Sequence, residues 1–152
     1  MSAIGDAFIA LLATSIIVTT IFSSIYLELR VESELSRLPD LRGVAVYGNG
    51  TVNITLELWR GMALQICYIE VRTDNGSGTI NVTSGAGSTM IGTMNVTALL
   101  DGFVNSNMLP TGSTAKIMIT FNTTAAFSGK SYPVILYDCK HRVIRVFRFR
   151  AP

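Results

Sequence analysis

The sequence predicts an α+β protein: a long N-terminal hydrophobic α-helix followed by an all-β, immunoglobulin-like sandwich head. Three observations predict it. Residues 7–27, AFIALLATSIIVTTIFSSIYL, hold no charge and no proline. After residue 43, short segments alternate apolar and polar side chains with a period of two. Asn-Gly and Asp-Asn-Gly turn signals separate them. The expected division is a hydrophobic-to-amphipathic helix over 1–38, a hinge over 39–43 and a β-sandwich head over 44–152.

The apolar run has about twenty residues, enough for a helix to cross the hydrocarbon core of a bilayer. Residues 28–38, ELRVESELSRL, continue without Gly or Pro and set Leu29, Leu35 and Leu38 among charges. Pro39 stops the pattern. One helix over 2–38 would be about 55 Å long. A helix greasy on every face must be surrounded by lipid or by copies of itself. Ser15, Thr19 and Ser23 are spaced four apart, and Ala3, Ala7 and Ala10 extend the small-residue theme. Such a stripe lets helix backbones approach closely; alternatively, the hydroxyls bond the carbonyls of their own helix. Asp6, at the edge of the run, is costly in an apolar medium unless paired. No Lys or Arg precedes the run, so either insertion is guided without the usual positive flank or a basic leader was removed before Met1 or Ser2.

Strand signals follow the hinge. Residues 43–47 form a short run and Asn49-Gly50 a turn. Over 51–59, Val52, Ile54, Leu56 and Leu58 share one face. Residues 64–72 read as one strand with Cys67, Ile69 and Val71 on a face, and 74–76 as a turn. Residues 79–83 place Ile80 and Val82 inward; 89–96 is a weaker strand, spoiled by Gly92. Residues 97–104 read as a short helix or turn with Thr97 as its N-cap. Residues 115–122 alternate again, with Ile117, Ile119 and Phe121 inward. Residues 132–137 and 142–149 flank Asp138-Cys139-Lys140-His141 as a terminal hairpin. Alternation fails between Arg145 and Arg148, which implies a bulge or two-sided packing. Seven or eight such strands suggest a sandwich.

The net charge of the 152-residue chain is only +2, so no nucleic-acid partner is expected. The Asn-X-Ser/Thr pattern occurs at Asn49, Asn53, Asn75, Asn81, Asn95 and Asn122, six of eight asparagines, where chance would place roughly one or two. The excess argues for export and N-glycans; the alternative is a Thr-rich β domain with Asn in its turns. In an exported domain two cysteines, Cys67 and Cys139, favour one disulfide closing a loop of about 72 residues, worth about 4 kcal/mol. The alternative is two buried free thiols. Two Cys and the lone His141 make no metal-ligand set, and His141 reads as a solvated turn residue. No nucleophile elbow, zincin helix or phosphate-binding loop is present. No catalytic activity, cofactor or metal is expected. The basic last strand reads as a solvated face, or as a contact for the acidic shoulder Glu28, Glu32, Glu34 and Asp40.

The stretch SAIGDAFIALLATSIIVTTIFSSIYLEL, feeding an amphipathic continuation and a β-rich head, resembles the type IV pilin superfamily, and within it archaeal pilins and archaellum-related pilin-like proteins. With Ser2 as first mature residue, Asp6 falls fifth, where pilins carry a glutamate that partners the terminal amine of the next subunit. The resemblance implies a structural subunit of an extracellular helical filament, for adhesion or motility, with helices in the filament core and glycosylated heads outside. It implies assembly residues Ser2, Asp6, Ser15, Thr19 and Ser23. The implied partners are further copies of the chain, the cytoplasmic membrane before assembly, a prepilin peptidase and the assembly machinery. The alternative is a monotopic, membrane-anchored archaellum accessory protein that binds the surface layer or the filament.

Overall fold

The computed structural model describes residues 2–37, 39–123 and 127–152. The chain forms two compact units, Met1–Leu38 and Pro39–Pro152. The first is a single helix, α1, Ser2–Arg37. No helix breaker stands between Ala7 and Arg37. Four hydroxyls bond back to carbonyls one turn earlier: Thr14 to Ala10 and Thr20 to Ile16, each at 2.8 Å, Thr19 to Ser15 at 2.8 Å, and Ser24 to Thr20 at 3.0 Å. These bonds satisfy polar groups that an apolar environment would otherwise leave unpaired. Pro39 has no backbone N–H to continue the ladder.

The second unit is a sandwich of two antiparallel sheets. Its strands are β1 Asp40–Gly48, β2 Thr51–Arg60, β3 Leu64–Gln65, β4 Tyr68–Thr73, β5 Gly76–Asn81 and β6 Ala86–Ile91. They continue with β7 Met94–Asp101, β8 Met108–Leu109, β9 Thr114–Phe121, β10 Ser131–Tyr137 and β11 Val143–Arg150. One sheet runs β1-β2-β9-β7-β6 and the other β11-β10-β4-β5, while β3 and β8 pair separately. The order β1-β2-β9-β7 facing β11-β10-β4-β5 is the A-B-E-D and G-F-C-C′ arrangement of immunoglobulin-like sandwiches.

Strict alternation builds the core. Val52, Ile54, Leu56 and Leu58 of β2 and Ile117 and Ile119 of β9 are fully buried, as are Ile69 and Val71 of β4 and Val134 and Leu136 of β10. Asn49 and Gly50 both take positive φ, 53° and 77°, which the two-residue β1–β2 turn requires. The edge strands β5 and β6 close one side of the sandwich. Gly87 makes this possible, because a Cβ there would overlap the Asn81 carbonyl, and one at Gly78 would stand 2.8 Å from Ile91 Cγ1.

An aromatic cluster fills the end of the sandwich near the β1–β2 turn. Phe127 meets Phe121 edge-on at 4.9 Å and Tyr132 at 5.1 Å, and Tyr47 stacks on Phe149 at 6.1 Å. The Tyr132 hydroxyl accepts from Ser128 N at 2.6 Å and donates to Asp74 Oδ2 at 2.8 Å. A tyrosine at the start of this strand, bonded to backbone a few residues upstream, is the tyrosine corner of immunoglobulin-like domains.

The expected disulfide is present. Cys67 and Cys139, Cα atoms 5.0 Å apart, join the start of β4 to the β10–β11 turn. Cys67 N donates to Tyr137 O at 3.0 Å, and Val82 N to Cys67 O at 2.9 Å. Asn107 seals this corner. It is buried, its Nδ2 donates to Ile66 O at 3.1 Å, and it lies 3.6 Å from Cys67 Sγ.

Four local expectations are corrected. Residues 40–43 are paired strand rather than hinge, because Leu41 is buried and the Arg42 guanidinium sits 4.0 Å above the Trp59 ring. The strand expected over 64–72 is split into β3 and β4, since Ile66 and Cys67 are both buried in succession. Gly92, with φ 62°, is not a flaw in one strand but part of the turn between β6 and β7. Residues 97–101 are the second half of β7, not a helix: Val96, Ala98 and Leu100 point inward and pair with β9. No bulge lies between Arg145 and Arg148: residues 145–150 pair with β10 without interruption, so Arg145 and Arg148 fall on opposite faces of the strand, and the register shift of this ladder lies at Leu136/Tyr137, opposite residues 143–145.

Two predictions follow from this packing. Cys67→Ser should lower the stability of the second unit by about 2–5 kcal/mol in the full chain. A denaturant titration followed at the single tryptophan, Trp59, reads this out, and an unchanged midpoint would show that the crosslink does not constrain the unfolded chain. The second concerns acid. Hydrogen bonds from Ser128 first, then Tyr132, hold the Asp74 carboxyl below the usual carboxylate range. A lowered folded-state pKa gives stability that is present above about pH 3.9 and lost as pH falls through the lowered value. Asp74→Asn should therefore be less stable than the parent at pH 6 and lose less on going to pH 3; parallel melting curves at both pH values would refute this.

Candidate assembly surface

Every described side chain of α1 from Ala3 to Arg30 is exposed. This segment, Ala3–Arg30, has a mean hydropathy of 2.2 and is long and apolar enough to cross a membrane. Fourteen of its large apolar side chains are 44–82% exposed, from Ile4 and Phe8 through Ile16 and Phe22 to Leu29. They point in all directions around the axis, so no polar face is available to turn toward water. Asp6 is exposed at the first end of the run, and Ser15, Thr19 and Ser23 are exposed along one line of the helix. Thr19 bonds its own helix, so along that line it contributes a small side chain with a satisfied hydroxyl. Ser2 opens α1, but its side chain lies outside the described residues, as do those of Glu32 and Glu34.

All six sequon asparagines are exposed on the head. Asn49 and Asn75 lie in turns, while Asn53 and Asn95 occupy outward positions of β2 and β7. Asn122 follows β9 and extends its pairing: its N–H donates to Asn95 O at 3.1 Å and its Oδ1 accepts from Asn95 N at 2.9 Å. Asn81 ends β5, and its Oδ1 accepts from Thr83 N and Thr83 Oγ1 at 3.0 and 2.8 Å. In both cases the side-chain oxygen is engaged and the amide nitrogen, the atom a glycan takes, is not the bonded one. Thr124, the third residue of the last sequon, lies outside the described residues. Asn49, Asn95 and Asn122 surround one end of the sandwich, where Phe121 N donates to Gly50 O at 2.9 Å. The β4–β5 turn with Asn75 lies at the same end, where Gly76 faces Ile91. The chain enters the head at the opposite end of β1, where Asp40 pairs with Arg60.

Charge is distributed differently. Asp138 organises the β10–β11 turn by accepting from Lys140 N, Arg142 N and Arg142 Nε, each at 2.9 Å. The Arg142 backbone bond is the first cause holding its carboxyl below the usual range. His141, at φ 58°, is exposed and stacks on Tyr68 with ring centres 4.3 Å apart. On the outer face of the four-stranded sheet, Glu70 accepts from Arg72 at 2.9 Å and Tyr137 at 2.6 Å. Asp40 belongs to the head's own ion pairs, bonded to Arg42 at 3.0 Å with Arg60 at 4.0 Å. Among the described residues no group of three His, Cys, Asp or Glu side chains is placed to hold a metal ion.

Sequence reasoning missed Asn107 and the Tyr132–Asp74–Ser128 bonds. Asn107 carries no local signal, because its partners lie 40 and 41 residues away. Tyr132 at a strand start could have suggested a corner tyrosine. The sequence matches no protein-family model and no curated protein, so the functional reading rests on these surfaces.

Proposed function

We propose that the chain is the structural subunit of an extracellular helical filament of the type IV pilus kind. The helix is held in the cytoplasmic membrane before assembly and packed among other copies afterwards. The observation that carries this reading is the Ala3–Arg30 segment of α1, apolar around its axis and exposed at every position, in a chain that also holds a disulfide-closed sandwich with six exposed sequon asparagines. Lipid and a bundle of identical helices are the two media that suit such a surface. A head-to-tail contact between non-identical patches of one chain generates an open helical polymer. Ser15, Thr19 and Ser23 supply the line of close approach, and N-glycans on the heads face the medium. The disulfide fits an oxidising location outside the cytoplasm.

Shearing cells and imaging the released material by negative stain tests the reading. Filaments containing this chain, with sugar mass on most of the six sequon peptides, are expected. Exclusive recovery in the membrane fraction would favour the membrane-anchored accessory protein instead.

Asp6 generates a sharper test. In a filament core its carboxylate needs a cation to offset desolvation, and the α-amine of an adjacent helix is the candidate. Asp6→Ala should insert into membranes normally. It should leave that amine without its mate, at about 3–5 kcal/mol per added subunit, which lowers filament yield at least tenfold. Asp6→Glu should assemble. Normal filaments from Asp6→Ala would mean that apolar packing alone sets the register.

A further inference from the structure

The outer face of the four-stranded sheet carries aromatic rings beside one sequon. Along β4, Ile69 and Val71 are buried, so Tyr68, Glu70 and Arg72 point outward. Tyr68 stands directly opposite Asn81 of β5 on one side and Tyr137 of β10 on the other. Side chains of directly opposed residues share a face, with Cβ atoms about 4.5–5.5 Å apart. Asn53, by contrast, stands opposite Val46 and Met118, and Asn95 opposite Met90. Among the sequon asparagines in the described ladders, Asn81 alone faces a ring.

The cluster is held in place from three sides. Val82 N donates to Cys67 O at 2.9 Å, and Cys67 is bonded to Cys139, so the end of β5, the start of β4 and the β10–β11 turn are tied together. His141, in that turn, is exposed and lies on Tyr68 with ring centres 4.3 Å apart and planes 16° from parallel. Its φ of 58° is a left-handed conformation for which glycine is the default residue. The turn is held by Asp138, which accepts from the backbone N–H groups of Lys140 and Arg142 and does not engage the imidazole. The turn therefore gives no reason for a histidine at this position. What the imidazole does is widen the Tyr68 ring into an apolar plate.

A pyranose sugar suits such a plate. One face of its ring presents C–H bonds that are apolar and slightly positive, and the face of an aromatic ring is negative. Its hydroxyls need partners at the rim. Glu70, two residues along β4 on the same face, accepts from Arg72 at 2.9 Å and Tyr137 at 2.6 Å, and a carboxylate has room for about two further bonds. Asn81 would deliver the sugar from the β5 side. Its Oδ1 accepts from Thr83 N and Thr83 Oγ1 at 3.0 and 2.8 Å, which fixes the amide and leaves Nδ2, the atom that takes a glycan, outside these bonds. A group tethered one side chain away has a high effective concentration, so even a weak contact is occupied. We propose that the first sugar of an N-glycan on Asn81 stacks on the Tyr68–His141 plate and covers the disulfide corner. The proposal rests on the reading of the head as a glycoprotein and gives one of its sugars a second role, bracing the junction of β4, β5 and the β10–β11 turn.

The full-length chain is purified in detergent from cells that glycosylate it, and unfolding of the head in urea is followed at Trp59. Asn81→Gln, which takes no sugar, should raise the unfolding constant about fivefold in the parent but less than about twofold in a Tyr68→Leu background, where the plate is gone. Loss of the Thr83 bonds is common to both backgrounds and cancels. Tyr68→Phe keeps the ring and should keep the full effect. In the parent itself, nuclear Overhauser contacts are expected between ring protons of Tyr68 or His141 and the first sugar, a measurement that needs no substitution. An equal effect of Asn81→Gln in both backgrounds, or sugar mass on the Asn81 peptide without those contacts, would overturn the plate. So would an Asn81 peptide that stays bare while other sequon peptides carry sugar. Bare peptides at all six sequons would instead overturn the glycoprotein reading beneath it.

Discussion

The constraint on which the rest depends is that α1 has no apolar partner in its own described surroundings. Its fourteen large apolar side chains are left open. At about 1.5–3 kcal/mol for burying each, their exposure to water forgoes on the order of 20–40 kcal/mol, several times the net stability of a typical domain. No rearrangement of the helix can relieve this, because the apolar residues surround the axis. The remedy must come from another molecule, lipid or protein. The head, by contrast, completes its own core from two sheets, a closed β5–β6 edge and the Cys67–Cys139 link. One unit is finished internally and the other is unfinished by design of its sequence.

The same division governs polar groups. In the head they are paired locally: Asp138 with the turn it caps, Asp74 with Tyr132 and Ser128, Asn107 with the backbone beside the disulfide. In the helix, the Thr14, Thr19, Thr20 and Ser24 hydroxyls are paired within the turn below. These four make no demand on a neighbour. Asp6 is the exception, since no side chain in the apolar run can neutralise it. The head is asymmetric too: Asn49, Asn75, Asn95 and Asn122 gather at the end away from Asp40.

Much of this was legible in the residues because it depends on local periodicity. The helix needs only composition, and β2, β9 and the terminal hairpin need only alternation and their turns. The disulfide needed no more than an even cysteine count. What escaped depends on distant partners. Residues 97–101 have helix-favouring Ala98, Leu99 and Leu100, yet pairing of Ala98 with Ile119 and Leu100 with Ile117 overrides that propensity. Residues 40–43 resemble a hinge until Leu58, opposite Leu41, and Trp59, beneath Arg42, are in place. For the proposed assembly residues, spacing exposes the Ser15–Thr19–Ser23 line, but on that reading the surface it would meet belongs to a second molecule and leaves no trace in one chain.

On the proposed reading the helix serves first in lipid and then among its own copies, so it must be comfortable in both, and this limits what it can use for specificity. Apolar packing is nearly as good against acyl chains as against Leu and Ile. Interhelical hydrogen bonds from Thr14, Thr19, Thr20 and Ser24 are largely forgone, because those hydroxyls are committed to their own backbone. Small residues permit close approach without dictating which neighbour approaches or at what height. Register must then come from the few groups that change partner between the two media. Within the apolar run that is Asp6, whose charge is tolerable at a membrane edge and requires a cation in a dry bundle. On the proposed reading, the charged residues that follow the run, from Glu28 onward, act at longer range. On this view the apolar helix supplies most of the binding energy of a polymer, while a handful of ionised groups at its two ends supply the geometry.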